Sequence, residues 1–120
     1  MIFSTRLRYA LKAVIHLSRQ KKAVSANQIA QEEHIPLAFL EKILQQLSQK
    51  RILKVKRGRH GGYALRHKPS LAEIAFALQE EPVLPCEKNP CPYQENCESK
   101  LIWAKAKEAI IRSFEKIKIA

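Results

Sequence analysis

At 120 residues the chain has room for one compact domain with a modest core, and its formal charge of +11, from 22 Lys and Arg against 11 acids, points to a polyanionic partner. No apolar run approaches the length that spans a bilayer and no secretory pattern opens the sequence, so a soluble, cytoplasmic protein is expected. There is no aspartate for a carboxylate dyad, no phosphate loop and no Cys–His pair at a recognisable spacing, which leaves nothing to support an enzyme.

The charge is also segregated. No acid precedes Glu32, and Lys50 to Lys68 holds eight Lys or Arg and no acid, the electrostatic footprint of phosphate binding. A basic membrane-surface helix could share that composition, but this segment contains three glycines and alternates like a strand.

In chain order, Ser4 to about Gln20 reads as a helix with Leu7, Leu11, Val14, Ile15 and Ser18 at helical spacing and Ser4 placed to cap. A polar QKKAV linker follows. Ser25 then opens a short second helix, where Ser25 and Gln28 have the spacing of a capping box. His34, Ile35 and Pro36 break it, and Pro36 is tolerated as the first residue of a third helix running to about Arg51. Leu37, Leu40, Leu44 and Leu47 form one stripe of that helix, while Ala38, Glu41, Lys42 and Gln45 line another. Two short helices joined by such a break make a helix-turn-helix.

The run Ile52 to Arg66, ILKVKRGRHGGYALR, reads as a hairpin. Leu53 and Val55 alternate with Lys54 and Lys56, Tyr63 and Leu65 alternate with Ala64 and Arg66, and Gly58, Gly61 and Gly62 all fall between the strands. Its tip carries Arg57, Arg59 and His60, which suits a nucleic-acid groove better than an idle basic surface hairpin. The order of helix, helix, break, helix and basic hairpin is that of a winged helix-turn-helix.

Ser70 begins a fourth helix with a second capping-box spacing to Glu73 and a buried side of Leu71, Ile74, Ala75 and Leu78; it stops at Glu80, Glu81 and Pro82. Four prolines and all three cysteines mark the stretch from there to Lys100 as a loop. From Leu101 to about Ile119 the pattern is helical again, with Trp103, Ile110, Phe114 and Ile117 as a seam for another helix. That partner can belong to a second subunit or to the same domain; with four helices already supplying a core, the intermolecular packing is expected.

Cys86, Cys91 and Cys97 give C-x4-C-x5-C, an odd number of thiols in one loop of a chain expected in a reducing compartment. Three readings stand: ligands of an iron-sulfur cluster, ligands of zinc with a fourth group, or free redox-active thiols.

These segments resemble one family, the small bacterial winged-helix regulators that sense iron-sulfur clusters, of the IscR, NsrR and RirA type. The resemblance rests on RYALKAV (Arg8 to Val14), IPLAFLEKILQQL (Ile35 to Leu47), RGRHGGYAL (Arg57 to Leu65), the three-cysteine loop and the closing helix. It implies a homodimeric regulator, expected to be a repressor, that binds a pseudo-palindromic double-stranded DNA operator and whose last helix crosses the dimer interface. By position, Pro36, Leu37, Ala38 and Glu41, with Lys42 on the same polar face, look like the major-groove reader. Arg57 looks like the wing arginine of the minor groove, flanked by Lys56, Arg59 and His60, and Ser25, Asn27 and Gln28 look like phosphate contacts.

The family's fourth cluster ligand is missing. One branch supplies a histidine three residues after the last cysteine, where this chain has Lys100; another supplies an acid from the first helix of the partner, where this chain has Arg8. Neither cation ligates iron at neutral pH. Glu95, Glu98, His16, His34 or an exchangeable small molecule remain, and three thiolates with a labile fourth position are favoured.

The expected architecture is therefore mainly α with a small β-hairpin: a winged helix-turn-helix over residues 1–80 (wing about 52–66), a cysteine loop over 81–100 and a dimerisation helix over 101–120. The expected function is transcription regulation through an iron-sulfur cluster, 4Fe-4S in preference to 2Fe-2S, that senses iron, nitric oxide or redox state. The alternative is a zinc-stabilised module that binds nucleic acid constitutively.

Overall fold

Ser4 starts the first helix by accepting the Leu7 N–H at 3.1 Å from an extended backbone, which satisfies one of the donors orphaned at a helix start. The computed structural model describes residues 4–79 and 98–119, so the Glu80–Pro82 stop, the proline-rich loop and all three cysteines lie outside the described residues. Helix α1 runs Thr5–Ser18 and buries Leu7, Ala10, Ala13, Val14, His16 and Leu17. Leu11, Ile15 and Ser18, expected on that face, are only half-buried. The small Ala10 and Ala13, fully excluded from solvent, take the centre of the stripe and turn the larger side chains to its margin.

Helix α2 (Ala26–Glu33) begins where Ser25 Oγ accepts the Gln28 N–H at 3.2 Å. The box is only half made, because the Gln28 side chain donates onward to Glu32 Oε1 at 3.3 Å. His34 ends α2 in the left-handed region (φ 56°), and Ile35 N–H closes the turn on Ala30 O at 3.0 Å. Pro36 then stands just outside helix α3 (Leu37–Gln49), one residue later than the sequence predicts. The buried stripe of α3 is Leu40, Ile43, Leu44 and Leu47; Leu37, expected within it, is 36% exposed.

Strands β1 (Leu53–Lys56) and β2 (Gly62–Leu65) pair antiparallel in the register Leu53 to Leu65 and Val55 to Tyr63. Gly62 belongs to β2 itself, not to the turn, and the reason lies in the linker before α2. Val24 pairs with Tyr63 through N–H to O contacts of 2.9 and 2.8 Å, so the end of that linker is pinned to the wing. A Cβ on Gly62 would fall 2.3 Å from the Val24 carbonyl, and no other residue type fits there.

Helix α4 (Leu71–Ala77) starts from Ser70, which accepts the Glu73 N–H at 3.1 Å, and helix α5 spans Ser99–Lys116. The Glu73 side chain pairs with His67 at 2.8 Å, so this box too is half made. Ala72, Ile74, Ala75 and Ala77 of α4 and Leu78 just after it join the core, with Leu71 half-buried.

The closing segment departs from expectation. Ile117 leaves the helix with an extended backbone, Ile119 N–H bonds Pro69 O at 2.8 Å and Leu71 N–H bonds Ile117 O at 2.8 Å. Phe114 and Ile119 are buried and Ile110 packs against the core, so the predicted seam divides. Its middle, Ile110 and Phe114, serves the chain's own core, whereas Trp103 at 43% and Ile117 at 49%, at its two ends, stay exposed. The backbone bonds from Pro69 and Leu71 draw the chain end onto α4 and carry Phe114 inward with it.

Candidate nucleic-acid interface

The polar face of α3 is presented by what lies beneath it. Leu40, Ile43, Leu44 and Leu47 are almost fully excluded from solvent, which leaves Pro36, Leu37, Ala38, Glu41 and Lys42 on the outside. Two contacts hold the helix against α1: an Arg6 to Gln46 side-chain hydrogen bond, and a T-shaped Tyr9–Phe39 ring pair with centroids 5.6 Å apart at 86°. A helix fixed at several points loses little freedom if a partner docks on it.

At the wing, Lys56, Arg57, Arg59 and His60 are all exposed. Gly58 takes φ 110° and its carbonyl accepts the Gly61 N–H at 3.1 Å, which folds the tip tightly and projects the flanking cations. Ser25, Asn27 and Gln28 are exposed at the start of α2. The structure brings this group beside the wing, because the residue before Ser25 is Val24, paired to Tyr63. A helix N-terminus and a cationic hairpin thus stand side by side, an arrangement that attracts phosphate.

Sequence reasoning overlooked two residues here. Val24, read as the end of a polar linker, is the buried pin that joins α2 to the wing; one apolar residue gives no periodicity to find. His16 lies outside the apolar stripe expected for α1, yet it is only 7% exposed. Its Nδ1 lies 3.2 Å from Glu33 Oε1, and its Nε2 lies 3.1 Å from Glu32 Oε2 without a directed hydrogen bond. The imidazole therefore ties α1 to the last turn of α2, just ahead of the break into α3. On α1 His16 follows Ala13 by three residues and precedes Leu17 by one, and nothing in the sequence announces that two glutamates from α2 meet it.

The candidates for a fourth cluster ligand can also be placed. His16 is engaged with the two glutamates, His34 is exposed at the end of α2, and Glu98 is exposed just before α5 with no capping bond. Arg8 and Lys100 are exposed. Glu95 falls with Cys86, Cys91 and Cys97 outside the described residues. Among the described residues, no group of three or more His, Cys, Asp or Glu side chains is placed to hold a metal ion, and no helix is long and apolar enough to cross a membrane.

Comparison with known proteins gives this geometry a family. A family model described as Rrf2, iron-dependent transcriptional regulator, matches residues 3–120. The protein Rrf2 of Nitratidesulfovibrio vulgaris is 31% identical over 128 residues, an alignment that takes in 100% of this chain and 85% of that protein. Among solved structures, CymR, the global cysteine regulator of B. subtilis, superimposes with a TM-score of 0.76 at 24% identity, covering 99% of this chain and 93% of that one. IscR of T. potens does so with a TM-score of 0.75 at 22% identity, covering 99% and 83%. The two structural likenesses establish the winged-helix fold, and the match along almost the whole sequence establishes the lineage: this chain belongs to the Rrf2 family of transcription regulators, DNA-binding proteins and not enzymes.

Proposed function

We propose that this regulator acts as a homodimer on a pseudo-palindromic DNA operator, and that an iron-sulfur cluster held by Cys86, Cys91 and Cys97 sets its affinity for that operator. The observation that carries the reading is the conjunction of three closely spaced thiols with a family described as iron-dependent. Thiolates are the usual ligands of such clusters, so the donor set fits. A bound cluster supplies a redox- and iron-sensitive group; the rest of the work falls to the protein.

Pro36 and the N-terminal half of α3, as far as Lys42, read base edges in the major groove. Arg57 enters the minor groove, with Lys56, Arg59 and His60 on the flanking phosphates, and Ser25, Asn27 and Gln28 hold the backbone at the start of α2. The exposed apolar first turn of α5, with Leu101, Ile102 and Trp103, supports a two-fold interface that places two reading helices on one DNA face. The cysteine segment joins the DNA-binding body to α5, so a gain or loss of the cluster there can change how the two halves of the dimer sit relative to one another. Regulation then requires only that cluster-bound and cluster-free forms differ in DNA affinity.

The test is anaerobic purification followed by the visible spectrum, iron and acid-labile sulfide content, and operator binding before and after cluster removal. Iron and sulfide in equal amounts with visible absorption are expected, and each of Cys86→Ser, Cys91→Ser and Cys97→Ser is expected to lower both. A colourless protein carrying stoichiometric zinc, or equal operator affinity of the two forms, overturns the sensing role. For the DNA half, Arg57→Ala is expected to weaken sequence discrimination by about 1–3 kcal/mol.

A further inference from the structure

A second cationic surface lies apart from the reading helix. The turn between α1 and α2 and the outer face of the wing enclose a groove of about 930 Å³. The turn contributes Lys21 and Lys22; the wing and the strand leaving it contribute Lys54, Lys56, Arg66 and Lys68. All six are exposed, and no carboxylate is among the residues that line the groove. Register explains how the wing supplies its share. Leu53, Val55, Tyr63 and Leu65 occupy one face of the hairpin, with Leu53 buried and Tyr63 and Leu65 packed on the core, so Lys54 and Lys56 occupy the other.

Lone surface lysines are common, but six cations brought together from two separate segments concentrate potential in a concavity. The groove is continuous with the proposed DNA surface at both ends. At one end Lys56 and His60 belong to both. At the other, Lys21, Lys22 and Ala23 run directly into Val24 and Ser25, where the wing meets the start of α2. Resting on the DNA-binding reading above, we propose that this groove receives the phosphate backbone flanking the minor groove that the wing tip enters, so that the protein engages DNA outward of the base pairs it reads. Lysine suits the task, since a flexible ammonium follows a phosphate track without demanding one geometry. An acidic polypeptide is the competing occupant, but the shared residues at the wing tip favour nucleic acid.

The full-length protein first selects a duplex from a random pool. The selected site is then trimmed to its protected core, or extended by 5 or 10 bp on each side with unrelated sequence, and binding is measured against salt. Extension is expected to tighten binding by the wild type and to steepen the log–log salt slope by about 0.9 for each phosphate engaged. The variant K21Q/K22Q/K54Q/R66Q is expected to bind the trimmed core as the wild type does and to lose the response to extension. Its circular dichroism and melting temperature check the fold, and each single substitution provides a milder second measurement.

A wild type indifferent to flank length, or a variant that responds as the wild type does, overturns the groove assignment while leaving operator binding intact. Poly-L-glutamate binding that disappears in the variant, with no flank response in the wild type, assigns the groove to an acidic polypeptide and overturns it likewise. Failure to enrich any duplex removes the DNA-binding reading itself, and this one with it.

Discussion

Helices α3 and α5 are both rich in apolar residues, yet α3 buries four large side chains in 13 residues and α5 buries only Phe114 in 18. The difference lies in how each distributes its apolar residues around the axis. Leu40, Ile43, Leu44 and Leu47 follow one stripe at three- and four-residue steps, so a single neighbouring surface can cover all of them. In α5, Leu101, Ile102 and Trp103 are consecutive and span more than half the helix circumference, which one neighbour cannot cover; they stay 72%, 67% and 43% exposed. A helix whose apolar residues exceed what its own domain can bury offers the excess to something else.

The comparison breaks most sharply under core truncation. Leu44→Ala in α3 is expected to destabilise the protein by about 2–5 kcal/mol, because the cavity it leaves is walled by neighbours that can collapse only in part. In α5, Phe114→Ala is expected near the lower end of the range for buried aromatics, about 3 kcal/mol, since Phe114 sits at the margin of the core. Urea unfolding with an unchanged m-value measures both. Equal, negligible losses would show that the division between the two ends of α5 is wrong.

Trp103→Ala sharpens the other half of the comparison. At high dilution its effect on unfolding is expected within about 0.5 kcal/mol, the usual range for surface substitutions. At higher concentration the loss is expected to grow, because association stabilises by mass action and Trp103 would be part of what associates. Sedimentation across the same concentrations checks this directly. A concentration-independent monomer for the wild type removes the dimer.

Much of this was legible beforehand, for reasons that differ between regions. Caps and stripes are local, so Ser4, Ser25 and Ser70 marked three helix starts, and the alternation of Leu53, Val55, Tyr63 and Leu65 marked the wing. The candidate DNA-contacting residues came from the resemblance, position by position, and they are exposed on those elements. What escaped notice depends on tertiary contact. Val24 finds Tyr63 across some forty residues of chain, His16 finds two glutamates of α2, and the extended Ile117–Ile119 end finds Pro69 and Leu71. Alternation and helical periodicity hold no information about such meetings, and the alanines of α1 hid the centre of its stripe because their burial follows from size more than from hydrophobicity.

Leu37 gives the smallest effect and the finest test, because it divides the two roles of α3 within one side chain. It lies on the same leucine repeat as Leu40 and Leu44, yet at 36% exposure it stands at the start of the helix, beyond the reach of the core. If it serves the fold, Leu37→Ala costs something like its neighbours do. If it serves the reading face, stability changes by no more than about 0.5 kcal/mol, the surface value. DNA preference then shifts, since an apolar side chain at that place can meet a thymine methyl group and a truncated one cannot. Unfolding and binding to the selected duplex, with each position of the core substituted in turn, separate the two. A stability loss above about 2 kcal/mol, in the range of buried leucines, with unaltered sequence preference would return Leu37 to the core stripe on which the repeat alone had placed it.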